Sequence, residues 1–157
     1  MNKYVLIVFF IVNGLMLPVF AQEPKIHVAK YMSTTRTKIY IRSGPGTQYK
    51  VINKVGKYTP FKILSRTADR KWIKIQDYRG RMGWIGSDAV SDAPAVIVKE
   101  TEANIRKGPG TNYETIWQAV AGVPFRCLKR NGHWLHVLDV DDETGWIYDV
   151  LVWGVCY

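Results

Sequence analysis

The chain is poor in what metal sites, helices and membrane spans require. Its 157 residues hold two cysteines and three histidines, without the paired spacing that structural zinc demands. The acidic stretch Asp139, Asp141, Asp142 and Glu143 lacks the spacing, the glycine and the closing glutamate of an EF-hand. Two Gly-Pro-Gly-Thr segments occur, but neither a Lys-Ser/Thr pair nor a helix follows them, so they are not phosphate cradles. No stretch repeats its apolar residues at helical period, and short apolar segments broken by turn residues read as strands instead. Beyond the first 21 residues no apolar run approaches membrane-spanning length, so no transmembrane segment is expected in the mature chain. His133 and His136 lie near Cys127, which invites a Cys/His nucleophile reading. Cys127 falls in an expected strand, however, and Cys156 offers it a disulfide. The expectation is a protein that is not an enzyme, with no catalytic residues, no metal site and no cofactor.

What is present begins with a leader. Met1 to Ala21 carry one charge, Lys3, followed by the apolar runs Tyr4–Val12 and Leu15–Val19. The small residues of Val19-Phe20-Ala21 suit a signal peptidase, so cleavage after about Ala21 is expected, and with it a periplasmic or secreted location. An uncleaved N-terminal anchor is the alternative, which Asn13, Gly14 and Pro18 disfavour.

The next feature occurs twice. Residues 41–49 read Ile-Arg-Ser-Gly-Pro-Gly-Thr-Gln-Tyr and residues 105–113 read Ile-Arg-Lys-Gly-Pro-Gly-Thr-Asn-Tyr. A Trp-led apolar strand recurs at Trp72-Ile73-Lys74-Ile75 and Trp134-Leu135-His136-Val137, and Gly-Trp-Ile recurs at 83–85 and 145–147. A strand running into a tight turn is expected at each Gly-Pro-Gly, with the second glycine free to take positive φ. The repeat implies two small units at 33–90 and 97–155, joined by a linker at 91–96. Residues 22–32 form a short polar lead-in.

The two units differ in charge and in cysteine. Lys30 to Val90 holds fourteen basic residues against three acidic ones, a net of +11, whereas Ala95 to Tyr157 holds six against eight, a net of −2. That asymmetry points to an anionic partner for the first unit, or to attraction between the two. Cys127 and Cys156 both belong to the second unit. In an oxidising compartment a disulfide is the expected pairing, with two buried free thiols as the alternative.

The order Ile-Arg-x-Gly-Pro-Gly-Thr-x-Tyr, then a Trp-bearing strand, then Gly-Trp-Ile resembles the bacterial SH3 family (SH3b) over nearly the whole mature chain. The resemblance implies an all-β fold of two tandem SH3-like barrels. It also implies a targeting module that binds cell-wall peptidoglycan, of the kind often fused to a wall hydrolase. No hydrolase domain is expected from these residues. The proline-peptide grip of eukaryotic SH3 domains is not evident, since Trp72 and Trp134 stand singly.

Candidate ligand-binding residues are Arg42, Tyr49, Trp72, Lys74, Arg79 and Arg81 in the first unit, and Arg106, Tyr113 and Trp134 in the second. The tryptophans suit stacking on a sugar face, or core filling equally well. The arginines suit carboxylate or phosphate. Trp84 and Trp146, between Gly and Ile, are expected to pack in the core or at the barrel edge. Expected partners are cell-wall glycan or peptide, or an acidic envelope protein, and not nucleic acid.

Overall fold

The computed structural model describes residues 7–12, 15–20 and 30–157. Strands β1 (Ile7–Val12) and β2 (Leu15–Phe20) pair antiparallel as a separate two-stranded sheet, with Ile7 opposite Phe20. The expected cleavage point after Ala21, and residues 22–29 of the lead-in, lie outside the described residues.

The rest is all-β in two sheets of seven strands with identical connectivity. The first comprises β3 (Tyr31–Thr34), β4 (Ile39–Arg42), β5 (Val51–Val55), β6 (Pro60–Arg66), β7 (Trp72–Gln76), β8 (Met82–Gly86) and β9 (Val90–Ser91), in the spatial order β5-β4-β8-β7-β6-β3-β9. The second comprises β10 (Ala95–Val98), β11 (Glu102–Arg106), β12 (Thr115–Val120), β13 (Pro124–Asn131), β14 (Trp134–Leu138), β15 (Thr144–Tyr148) and β16 (Val152–Gly154). Its order is β12-β11-β15-β14-β13-β10-β16. A one-turn 3-10 helix precedes the last strand of each, at Ser87–Ala89 and Asp149–Leu151. Tyr31 and Met32, read from the sequence as lead-in, are strand residues. So are Ala95 and Val96, read as linker, and both are buried.

Strict alternation decides which side chains point inward. Along β7, Ile73 and Ile75 are buried between Trp72, Lys74 and Gln76; along β14, Leu135 and Val137 are buried between Trp134, His136 and Leu138. Each sheet curls around its own cluster. Phe61, Ile73, Ile75 and Ile85 centre the first, and Phe125, Leu135, Val137 and Ile147 the second. The curl is helped by bulges at matching places, Ile41/Arg42 with Ile105/Arg106 and Ile63/Ser65 with Cys127/Lys129. A bulge inserts one residue that loses its pairing and turns its side chain out. That accounts for four exposed aliphatics at equivalent positions: Ile52 and Ile116, Leu64 and Leu128.

The glycine of each Gly-Trp-Ile exists for contact. A Cβ on Gly83 would overlap Cγ2 of Ile41, and one on Gly145 would overlap Cγ2 of Ile105. Of the two places expected for them, core or barrel edge, Trp84 and Trp146 are not in the core. The neighbouring isoleucines enter the core, so alternation turns both tryptophans to the outer face, where they are half-buried. The second unit also carries the disulfide Cys127–Cys156, Cα atoms 5.5 Å apart, linking β13 to the chain after β16. The units touch through an edge-to-face pair, Tyr31 with Trp153, ring centroids 5.1 Å apart.

Candidate functional site

The Gly-Pro-Gly loops are held closed by the arginine that precedes them. Arg42 Nη1 donates to the carbonyls of Thr47 and Tyr49, each at 2.8 Å, and Arg106 Nη1 donates to the Tyr113 carbonyl at 2.8 Å. Backbone bonds from Ser43 to Lys50, and from Lys107 to Glu114, close the loop bases. Both arginines therefore spend donors on their own loops. The loop glycines act through lack of a Cβ and not through φ. Among the described residues positive-φ glycines are Gly80, Gly122, Gly132 and Gly154, so Gly46 and Gly110 do not use the freedom expected of them. Instead the rings of Tyr49 and Tyr113 lie against Gly44 and Gly108, where a Cβ would overlap them. The tyrosines brace the loop from outside and keep more than two-fifths of their surface exposed.

Across from each loop stands the predicted tryptophan. In the second unit a cleft of about 620 Å³ runs between Gly110, Thr111 and Asn112 of the loop and Trp134 and Tyr148 of β14 and β15. Arg106, Asn104 and Glu102 complete its floor and rim. Trp134 and Tyr148 sit opposite each other in the strand register, ring centroids 5.3 Å apart, and form an aromatic wall. In the first unit a cleft of about 490 Å³ lies between Thr47 and Trp72, but Gly86 stands opposite Trp72 where Tyr148 faces Trp134. Arg70 and Lys71 line it instead. The same place is aromatic in one unit and cationic in the other.

A second shared feature is a row across the outer face. Arg42, Trp84, Lys74 and Ser65 are successive cross-strand partners in the first unit; Arg106, Trp146, His136 and Lys129 are their counterparts. The His136 imidazole stacks on Trp146 at 4.8 Å and Lys129 Nζ lies 5.4 Å from the same ring. Burial pushes the His136 pKa down, and the Lys129 charge pushes the same way. Beside the aromatic cleft, Asp149 takes Arg130 Nη1 at 2.8 Å and His133 Nδ1 at 3.3 Å. Burial raises its pKa, but the hydrogen bonds from Arg130 and His133 outweigh that and leave it below the ordinary aspartate value.

The predicted residues thus fall in several places. Trp72 and Trp134 wall the clefts, Arg42, Arg106, Tyr49 and Tyr113 shape their loops, and Lys74 joins the outer row. Arg79 and Arg81 belong to the β7–β8 turn on the side facing the second unit. Sequence reading did not single out Tyr148, and it read Trp146 for barrel packing and His136 for a Cys/His pair rather than for this face. Alternation from buried Gly145 and Ile147 already puts Trp146 and Tyr148 on one outer face, which was the available signal.

With a rolled β unit repeated in order, loop and register, family models for the bacterial SH3 domain match residues 37–91 and 99–154. The chain belongs to the bacterial SH3 family. It carries two such domains in tandem. The "Putative N-acetylmuramoyl-L-alanine amidase YrvJ" of Bacillus subtilis (strain 168) is 27% identical over 160 residues, 94% of this chain and 30% of that protein. Among solved structures, NlpC1 from Trichomonas vaginalis aligns at TM-score 0.37 and 13% identity, over 83% of this chain and 47% of that one. An NlpC/P60 family protein from Bacillus cereus ATCC 10987 aligns at TM-score 0.37 and 10% identity, over 80% and 56%. The chain spans about a third of the curated relative and about half of these structures.

The match to an amidase-named protein along nearly the whole chain overturns the expectation of a protein that is not an enzyme. That expectation rested on side-chain constellations within one chain, which say nothing of the longer protein this pair resembles. A bacterial SH3 pair, such a relative and a disulfide fit an extracellular location. No helix among the described residues is long and apolar enough to cross a membrane, which leaves strand-built spans unaddressed.

Proposed function

We propose that the two SH3 domains bind cell-wall peptidoglycan through the clefts between each Gly-Pro-Gly loop and Trp72 or Trp134. They would do so after export and leader cleavage near Ala21, and would hold the wall for amidase chemistry of the kind the relative is named for. The observation that carries this reading is the recurrence of the cleft. The loop is built from the same residues twice, closed by the same arginine, and faces a tryptophan at the same register in both domains. Tryptophan and tyrosine offer apolar faces to sugar rings, while Asn104, Glu102 and the loop backbone offer hydrogen bonds to hydroxyl or amide groups.

The test is co-sedimentation of the mature protein with purified sacculi at low salt. Trp134→Ala is expected to weaken binding about tenfold or more, from the stacking and buried area lost at one anchor residue, and Trp72→Ala less, because its cleft lacks a second ring. Wild-type protein left in the supernatant sinks the proposal. Release of stem peptides from the same sacculi tests the amidase part separately.

An adaptor that docks an acidic envelope protein is a second reading, favoured by the net +11 of the first domain. Electrostatic docking is lost as salt rises, whereas stacking on sugar persists.

A further inference from the structure

The cleft where the two domains meet is built differently from the loop clefts. It encloses about 450 Å³ between Lys54, Lys57, Arg79 and Arg81 of the first domain and an apolar wall from the second that includes Ile97, Pro124 and Val140. Three of its cations sit over tyrosine rings: Lys54 Nζ is 5.6 Å from the centroid of Tyr40, Lys57 Nζ 4.6 Å from Tyr58, and the Arg79 guanidinium 5.1 Å from Tyr78. None of these three has an ion-pair partner among the described residues. A ring face holds a cation in place without neutralising it. The acid within the cleft, Asp77, is already committed: it accepts from the Arg79 and Arg81 backbone N–H groups at 2.9 Å and from Arg81 Nε at 2.8 Å. The Lys57 pKa is raised, chiefly by the Tyr58 side chain; from the second domain Asp142 raises it and Arg126 lowers it by less.

The second domain serves as an internal control for what the fold needs. Its equivalent turn keeps the aspartate, with Asp139 Oδ1 accepting from the Asp141 and Glu143 backbone N–H groups at 2.9 and 2.8 Å. Yet Arg79 corresponds to Asp141, Arg81 to Glu143, Lys54 to Gln118 and Lys57 to Ala121. The turn forms with either charge, so the cations are not there to make it. The backbone gives a second, independent sign. Tyr58 has φ 65°, and its counterpart is Gly122 at φ 90°. Glycine takes that region freely, while a tyrosine there is strained, and strain of this kind collects at sites with a use. Here it places the ring beneath Lys57.

We infer that the interdomain cleft is a binding site for a polymer of repeating oxyanions, separate from the peptidoglycan clefts. Lys54, Lys57, Arg79 and Arg81 contact successive anionic groups, and the apolar wall of the second domain excludes water from one side. Phosphate or carboxylate groups supply the charge equally well, because arginine and lysine pair with both. Affinity is salt-dependent through counter-ion release.

The experiment measures binding of the mature protein to linear inorganic polyphosphate and to poly-L-glutamate across a salt series. Two variants carry the same charge change, each using residues the second domain has at the equivalent positions. Arg79→Asp/Arg81→Glu alters the cleft; Arg36→Glu/Lys50→Glu alters the same domain away from it, where the second domain has Glu100 and Glu114. The cleft variant is expected to lose tenfold or more in affinity and to flatten the log–log salt slope by about one to two. The control is expected to stay within about threefold. The polymer held more tightly identifies phosphate or carboxylate as the source. Equal losses in the two variants, or no binding of either polymer by wild type, overturn the inference. Sacculus binding is read separately, so its failure leaves this result intact. Near-UV circular dichroism confirms that both variants are folded.

Discussion

Single residues explain why the motifs read as they do. Gly145 lies so close to Ile105 that any Cβ displaces the core, and Gly83 stands likewise against Ile41. Gly145→Ala is therefore expected to cost about 1–3 kcal/mol, the usual range for overpacking, seen as a lower denaturation midpoint. His136 gives a pH signature. Its folded pKa is lowered by burial, then by Lys129, so the folded state binds its proton less readily than the unfolded one. The stability this contributes is fully present above the ordinary value near 6.5 and is lost as pH falls through the lowered folded value. Denaturant titrations between neutral and mildly acidic pH should show that decline, and His136→Gln should flatten it. Asp149 acts in the same direction at lower pH, losing its contribution as pH falls through its lowered folded value.

At the scale of elements, the two copies exchange roles at their turns. The non-glycine residues with positive φ among those described are Tyr58, Arg70 and Asp142, and each faces a positive-φ glycine in the other copy: Gly122, Gly132 and Gly80. The turns demand left-handed backbone, and glycine supplies it in whichever copy has no other use for the position. Arg70→Gly is accordingly expected to leave stability unchanged or raise it by up to about 1 kcal/mol, since the left-handed penalty roughly offsets glycine's extra unfolded entropy. A fall of more than that in urea titration would mean that Arg70 makes contacts its turn does not require. The disulfide is the other element-scale device. Cys127 and Cys156 lie 29 residues apart, and closing a loop of that length limits the unfolded chain by about 3–4 kcal/mol. Cys156→Ser should lower the unfolding free energy of the second domain by that amount and leave the first, which has no cysteine, unchanged. Domain-resolved hydrogen exchange would separate the two.

For the whole molecule, the question is whether two small domains behave as one body. Each cluster is centred on a handful of large side chains, near the lower limit for a self-sufficient core. Tyr31 and Trp153 provide the aromatic contact between them. Trp153→Ala is expected to split a single thermal transition into two, or to widen one already split. An unchanged calorimetric profile would show that the contact does not couple them. The interdomain cleft needs this arrangement as well, so the same variant should weaken polyanion binding without touching either loop cleft.

Much of the fold was legible in the residues themselves. A period-two pattern, frequent turn residues and a recurrence of motifs in the same order determine an all-β chain of two similar units. The recurrence also aligned the copies and exposed their opposite charges. Alternation set Trp72 and Trp134 opposite the aliphatic face of their strands, but left sugar stacking and core filling both open. Which distant residues share a place was settled by the folded sheets. Tyr148 meets Trp134 through cross-strand register, Arg42 and Arg106 turn back onto their own loops, and Arg79 and Arg81 leave the Trp72 cleft for the domain boundary. These outcomes depend on sheet curl, bulge position and docking, which link residues far apart along the chain. Alternation tells a side chain which face it takes; only the closed sheet tells it whom it meets there.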